Sequence, residues 1–122
     1  MAWGICRNSG GMHAELLWTN PNPTTNMAET TLGIDLSGYD FFMADVNYHT
    51  TVVKTYRIIQ PVKSGEPNCI AVPDTSGHLV GRRYTINAGS ISIGVPPAVG
   101  YGNGYVIPLR IYGVKGKISG GV

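Results

Sequence analysis

Three histidines and seven carboxylates are the side chains of this chain best suited to move protons or hold a metal. His13, His49 and His78 lie far apart, and none falls in H-x-H, H-x-x-x-H or H-E-x-x-H spacing, so no motif supports a metal site. A glycosidase needs two carboxylates roughly 5–10 Å apart, one of them in apolar surroundings. The acids available are Glu15, Glu29, Asp35, Asp40, Asp45, Glu66 and Asp74. Asp35 and Asp45 fall on the polar side of alternating segments, where solvation is expected. Asp40 and Asp74 follow turn signals and are expected to cap those turns. No G-x-S-x-G nucleophile elbow is present. Cys6 and Cys69 are too few for a disulfide scaffold and form no C-x-x-C. Two reduced thiols are the expectation, with a Cys6–Cys69 bridge as the alternative if the N-terminal segment crosses the domain. The residues thus point to a protein that is not an enzyme, with no catalytic residue, metal or cofactor; a cell-wall or polysaccharide hydrolase is the least favoured reading.

Binding chemistry has more to offer. The stretch GYGNGY, Gly100 to Tyr105, carries glycines like a phosphate loop but precedes a strand and not a helix, so it lacks a helix terminus to hold an anion. Its expected role is to display Tyr101, Asn103 and Tyr105, since tyrosine and asparagine on glycine-hinged loops make adaptable recognition surfaces. Seven tyrosines against two phenylalanines lean the same way. Trp18, at the end of the apolar run LLW, is expected to plug the core at a strand end, with a sugar-stacking platform as the alternative. Tyr101, Asn103, Tyr105 and Trp18 are therefore the candidate ligand-binding residues. Arg82–Arg83 is an isolated basic pair in a chain of net charge +2, too little for a nucleic-acid face. No apolar run approaches the ~18 residues of a membrane span, and the N-terminus lacks the pattern of a signal peptide.

The elements that must position these residues are strands. Apolar side chains recur with period two, and no stretch sustains a helical period. Strands are expected over Ala14–Thr19, Met27–Leu36, Phe41–His49, Thr51–Val62, Cys69–Val72, Val80–Asn87, Ile91–Val95 and Tyr105–Tyr112. In the third, Phe42, Ala44, Val46 and Tyr48 alternate with Met43, Asp45 and Asn47. In Asn20-Pro21-Asn22-Pro23 the prolines lack an N–H and force extended neighbours, so this piece reads as a stiff crossover at the rim. Breaks every 8–12 residues, roughly, predict an all-β fold: a single antiparallel β-sandwich, jelly-roll-like or Ig-like, of about eight strands. Residues 1–15 are expected to form an N-terminal segment or arm and residues 16–122 the sandwich domain.

Three stretches in this order, LLWTNPNPT, LGIDLSGYDFF and YVIPLRIYGVKG, resemble a small β-rich domain of phage and prophage virion proteins of Gram-positive bacteria. The resemblance covers Leu16 to Lys115. It implies a surface-exposed, tail-associated or capsid-associated virion protein, made in the host cytoplasm, whose partners are other virion proteins and a host-surface glycan or protein. It carries no catalytic residue. Such domains commonly trail a long protein, whereas here only residues 1–15 precede the first motif, so a stand-alone protein and an excised domain are both compatible. Sparse charge, 13% of residues, suits flanks buried against neighbouring copies. A homo-oligomer is expected, with a trimer favoured by analogy with virion spikes. A host-envelope binding module of tail or baseplate is the leading expectation, and a capsid decoration or cementing protein the alternative.

Overall fold

Alternation decides the architecture. In Phe41–His49 the side chains of Phe42, Ala44, Val46 and Tyr48 are all buried, which requires a sheet with one face on a core. The computed structural model describes residues 12–51, 54–97 and 101–116. In these it contains eight strands and no helix: β1 (His13–Thr19), β2 (Thr30–Leu32), β3 (Phe41–His49), β4 (Thr55–Pro61), β5 (Pro67–Pro73), β6 (Leu79–Asn87), β7 (Ser90–Ile93) and β8 (Tyr105–Lys115). They form two four-stranded antiparallel sheets, ordered β1-β8-β3-β4 and β2-β7-β6-β5. The protein is thus the all-β sandwich expected. The first and last strands nest, β1 with β8 and β2 with β7, which is the wrapping of a jelly roll. The middle of the chain is instead built from the hairpins β3–β4, β5–β6 and β6–β7.

The two sheets share one core. Phe42, Ala44, Val46 and Ile111 from the first meet Ile70, Val72, Val80, Tyr84, Ile86, Ile91 and Ile93 from the second. The ring of Phe42 stacks on that of Tyr84 with centroids 4.8 Å apart, joining the layers at their centre. The edge strands β4 and β5 carry Pro61, Pro67 and Pro73 at their ends, which limits pairing with foreign strands.

Three strands, β2, β4 and β7, are shorter than the alternation suggests, β7 ending at Ile93 and not Val95. The period-two pattern continues through Ile34 and Leu36, and both are buried, yet β2 stops at Leu32. The Ile34 amide folds back onto the Leu32 carbonyl at 2.8 Å, a tight turn around Gly33 that ends the ladder while the next two apolar side chains still reach the core. Strand β4 begins at Thr55, not Thr51. Strand β1 begins at His13, so His13–Glu15 pair with β8.

Candidate functional site

The site is organised by a side chain that the sequence reading weighs only for a nucleic-acid face. Arg82 lies on the core-facing side of β6, in phase with Val80, Tyr84 and Ile86, and is 0% exposed. Among the described residues no carboxylate pairs with it. Instead its five N–H groups meet five backbone carbonyls. Nε donates to Val106 at 2.8 Å, Nη1 to Met27 at 2.9 Å and Gly94 at 2.8 Å, and Nη2 to Asn103 at 2.9 Å and Tyr105 at 2.8 Å. A guanidinium has five donors in a fixed fork and no acceptors, so this set saturates it. Lysine, with three donors on one point charge, could not do the same. Burial lowers the Arg82 pKa to about 10, which leaves it charged at neutral pH.

The carbonyls come from three separate segments, so one side chain ties the β1–β2 crossover, the end of β7 and the start of β8 together. This also accounts for an unusual residue. Successive carbonyls of a strand point in opposite directions, yet those of Tyr105 and Val106 both reach Arg82. Val106 has a φ of 53°, a left-handed conformation that a β-branched residue rarely adopts. That positive φ breaks the alternation and brings both oxygens to the same guanidinium.

Beside this clamp sits an aromatic cluster. The Tyr105 ring makes edge contacts with Tyr101 at 4.9 Å, Tyr48 at 5.6 Å and His49 at 4.4 Å. The Tyr101 hydroxyl donates to Asp74 Oδ2 at 2.9 Å. Asp74 also caps its own turn, as expected, with Oδ1 accepting from the Ser76 and His78 amides. Burial pushes the Asp74 pKa up, but its hydrogen bonds from Tyr101, Ser76 and His78 outweigh that and hold it below the usual value. The same bond to Asp74 raises the Tyr101 pKa. Tyr101 and Tyr105 are half-buried and pack against the core, and Asn103 is half-buried. The structure thus brings Tyr101 and Tyr105 together, fixes Asn103 through its backbone, and commits the Tyr101 hydroxyl to a protein partner. Gly100 lies outside the described residues, as does Cys6, so a Cys6–Cys69 bridge lies beyond them too.

Trp18 lies elsewhere on the same rim. A bulge between Leu16 and Trp18 shifts the register of β1 against β8. Leu16 is left outside, 55% exposed, while Leu17 and Trp18 pack partly against the core. Trp18 is therefore half plug and half wall: it lines a cleft of about 320 Å³ in the β1–β2 crossover. The crossover is held stiffly. The Asn20 amide donates to Leu109 at 2.8 Å, its side-chain amide donates to Pro108 at 2.9 Å, and its Oδ1 accepts from Asn22 at 2.8 Å. The Met27 amide donates to the Asn103 carbonyl at 2.9 Å, which joins the cleft segment to the Tyr101–Tyr105 loop.

On the outer face of the first sheet, the expected solvation of Asp45 is corrected. Asp45 does lie on the polar side of β3, but it is only 4% exposed. The ladder sets Arg57 and Arg110 opposite it on either side. Arg57 donates Nε and Nη2 at 2.8 and 3.1 Å, Arg110 donates Nε at 2.9 Å and the Tyr112 hydroxyl donates at 3.2 Å. The Arg57 bond, with help from Arg110 and Tyr112, lowers the Asp45 pKa to about 2. Asp40, expected to cap its own turn, instead accepts from the distant Gly116 amide at 2.9 Å. Among the described residues no group of three His, Cys, Asp or Glu side chains is placed to hold a metal ion. No helix among them is long and apolar enough to cross a membrane. Compared with family models, curated proteins and solved structures, the chain matches none.

Proposed function

We propose that this protein is a non-enzymatic recognition module of a phage or prophage virion surface, binding the host envelope through one rim of its sandwich. The observation that carries the reading is the Arg82 clamp. Five hydrogen bonds from one buried side chain fix three loops that otherwise have little regular structure. Rigid loops lose less entropy on binding, so a fixed rim bearing Trp18, Tyr101, Asn103 and Tyr105 suits recognition. The virion setting rests on the resemblance of the three sequence stretches. Purified protein is expected to bind whole Gram-positive host cells or their envelope glycans or proteins. Failure to bind any envelope fraction, together with normal adsorption by virions lacking the protein, overturns the reading.

A second reading, a capsid decoration protein, is favoured by β1. This edge strand exposes Leu16 (55%), with Met12 (44%) just before it, beside a strand edge that is unpaired among the described residues, which suits contact with a neighbouring subunit. Locating the protein in a virion map separates the two, and the count of copies around each symmetry axis tests the expected trimer.

A further inference from the structure

We infer that the cleft walled by Trp18 is a binding site for one neutral pyranose sugar, and that this cleft, not the Tyr101–Tyr105 loop, is where a glycan is read. The inference deepens the envelope-binding reading and rests on it. Its ground is the composition of the cleft. Trp18 and Met27 supply apolar surface, Asn22, Thr25 and Asn26 supply amides and a hydroxyl, and Glu29 is the one ionisable side chain in the wall among the described residues. A pyranose has the matching character, with an apolar C–H face to lie on an indole and a ring of hydroxyls that need paired donors and acceptors. An amide side chain offers both at once. The volume of about 320 Å³ sits at the small end of ligand sites, which run to roughly 300–1,000 Å³, and suits a single ring or a terminal disaccharide.

Other ligands fit less well. Among the described residues, an anionic sugar or phosphate would meet Glu29 and no Lys, Arg or His. A quaternary ammonium draws on several aromatic faces at once, and the described wall offers Trp18 alone. The Tyr101 loop is a poorer sugar site for a different reason: the Tyr101 hydroxyl already donates to Asp74, and the Tyr105 ring is surrounded by Tyr48, His49 and Tyr101. In the cleft the frame is held and the Thr25 hydroxyl donates to the Asn22 carbonyl at 3.0 Å, but the two asparagine readers are not engaged. The backbone is fixed by Asn20 and by the two bonds at Met27, while the side chains of Asn22 and Asn26 are exposed and make no hydrogen bond among the described residues.

The test uses the full chain carrying Trp3→Phe, which leaves Trp18 as the single indole reporter. It is titrated with N-acetylglucosamine, N-acetylgalactosamine, galactose and glucose, and with glucuronate and choline as charged probes. A saturable change in Trp18 emission is expected with at least one neutral sugar. Asn22→Ala and Asn26→Ala, both at exposed positions, are expected to weaken it about tenfold each. Glu29→Gln should weaken it less. The inference is overturned if no neutral sugar gives saturation, if glucuronate or choline binds more tightly than every neutral sugar, or if both asparagine variants bind like the parent. Whole-cell binding by the same proteins separates the two levels. Cell binding that survives both asparagine substitutions sinks the cleft and leaves the envelope reading standing. Sugar binding without any cell binding does the reverse.

Discussion

Two buried charges in this small sandwich are handled in opposite ways. Arg82 sits inside, with no counter-ion among the described residues, and spends all five donors on main-chain oxygens. Asp45 sits on an outer face and is covered by the side chains of Arg57, Arg110 and Tyr112. The partners of Asp45 can turn to water, since the Arg57 and Arg110 side chains are 59% and 41% exposed. The partners of Arg82 cannot move without moving the loops they belong to. One charge therefore decorates a sheet that alternation already specifies, and the other joins loops that alternation does not specify.

The contrast is most directly broken at Arg82. Arg82→Met keeps the bulk and removes every donor, taking this partner from five carbonyls, of which Asn103 keeps the Met27 amide; a loss of about 5 kcal/mol is expected by urea denaturation, with a melting temperature lower by roughly 20 °C or more. Arg82→Lys should fall between the two, with faster amide exchange at Met27, the amide that bonds to Asn103. A stability change for Arg82→Met no larger than that of Asp45→Asn would end the distinction. Asp45→Asn is expected to cost about 1–2 kcal/mol, because both arginines regain water when the charge is lost.

Acid titration sharpens the same point. The Asp45 pKa is depressed in the folded state, from an ordinary value near 3.8 to about 2. The stability it contributes, about 2 kcal/mol, is thus fully present above pH ~4 and is lost as pH falls through about 2. The difference in unfolding free energy between wild type and Asp45→Asn should shrink over that window and stay flat from pH 5 to 8. Smallest of all is Tyr112→Phe, which removes the longest of the four contacts to Asp45; its effect should vanish in the Asp45→Asn background, as a double-mutant cycle will show.

The sheets were legible in the sequence because their information is local. The strand over Phe41–His49 follows from period two alone, as does β6. Strand β2 was over-extended because burial continues past the point where pairing ends, and alternation reports burial only. The same pattern holds the signal for Arg82, which stands in phase with Val80, Tyr84 and Ile86; weighing it with Arg83 as a basic pair passes over that phase. Which carbonyls would receive it was beyond reach, since Met27 and Val106 lie 55 and 24 residues away. Asp45 was placed on the correct face but not with its partners, because the register that brings Arg57 and Arg110 across from it is set by the ladder as a whole. Trp18 was read as plug or platform; its bulge and the cleft beside it depend on a crossover whose path comes from long-range hydrogen bonds.

Because the guanidinium of Arg82 grips only main-chain oxygens, it is indifferent to what the gripped residues carry. Every amino acid brings a carbonyl, so Met27, Asn103 and Tyr105 could be exchanged without loosening the frame, provided the new side chain fits. The outward-facing surface can then diversify while its geometry is inherited intact. A chain built this way can alter its rim by drifting at a handful of positions, with no need to refold the ground beneath them.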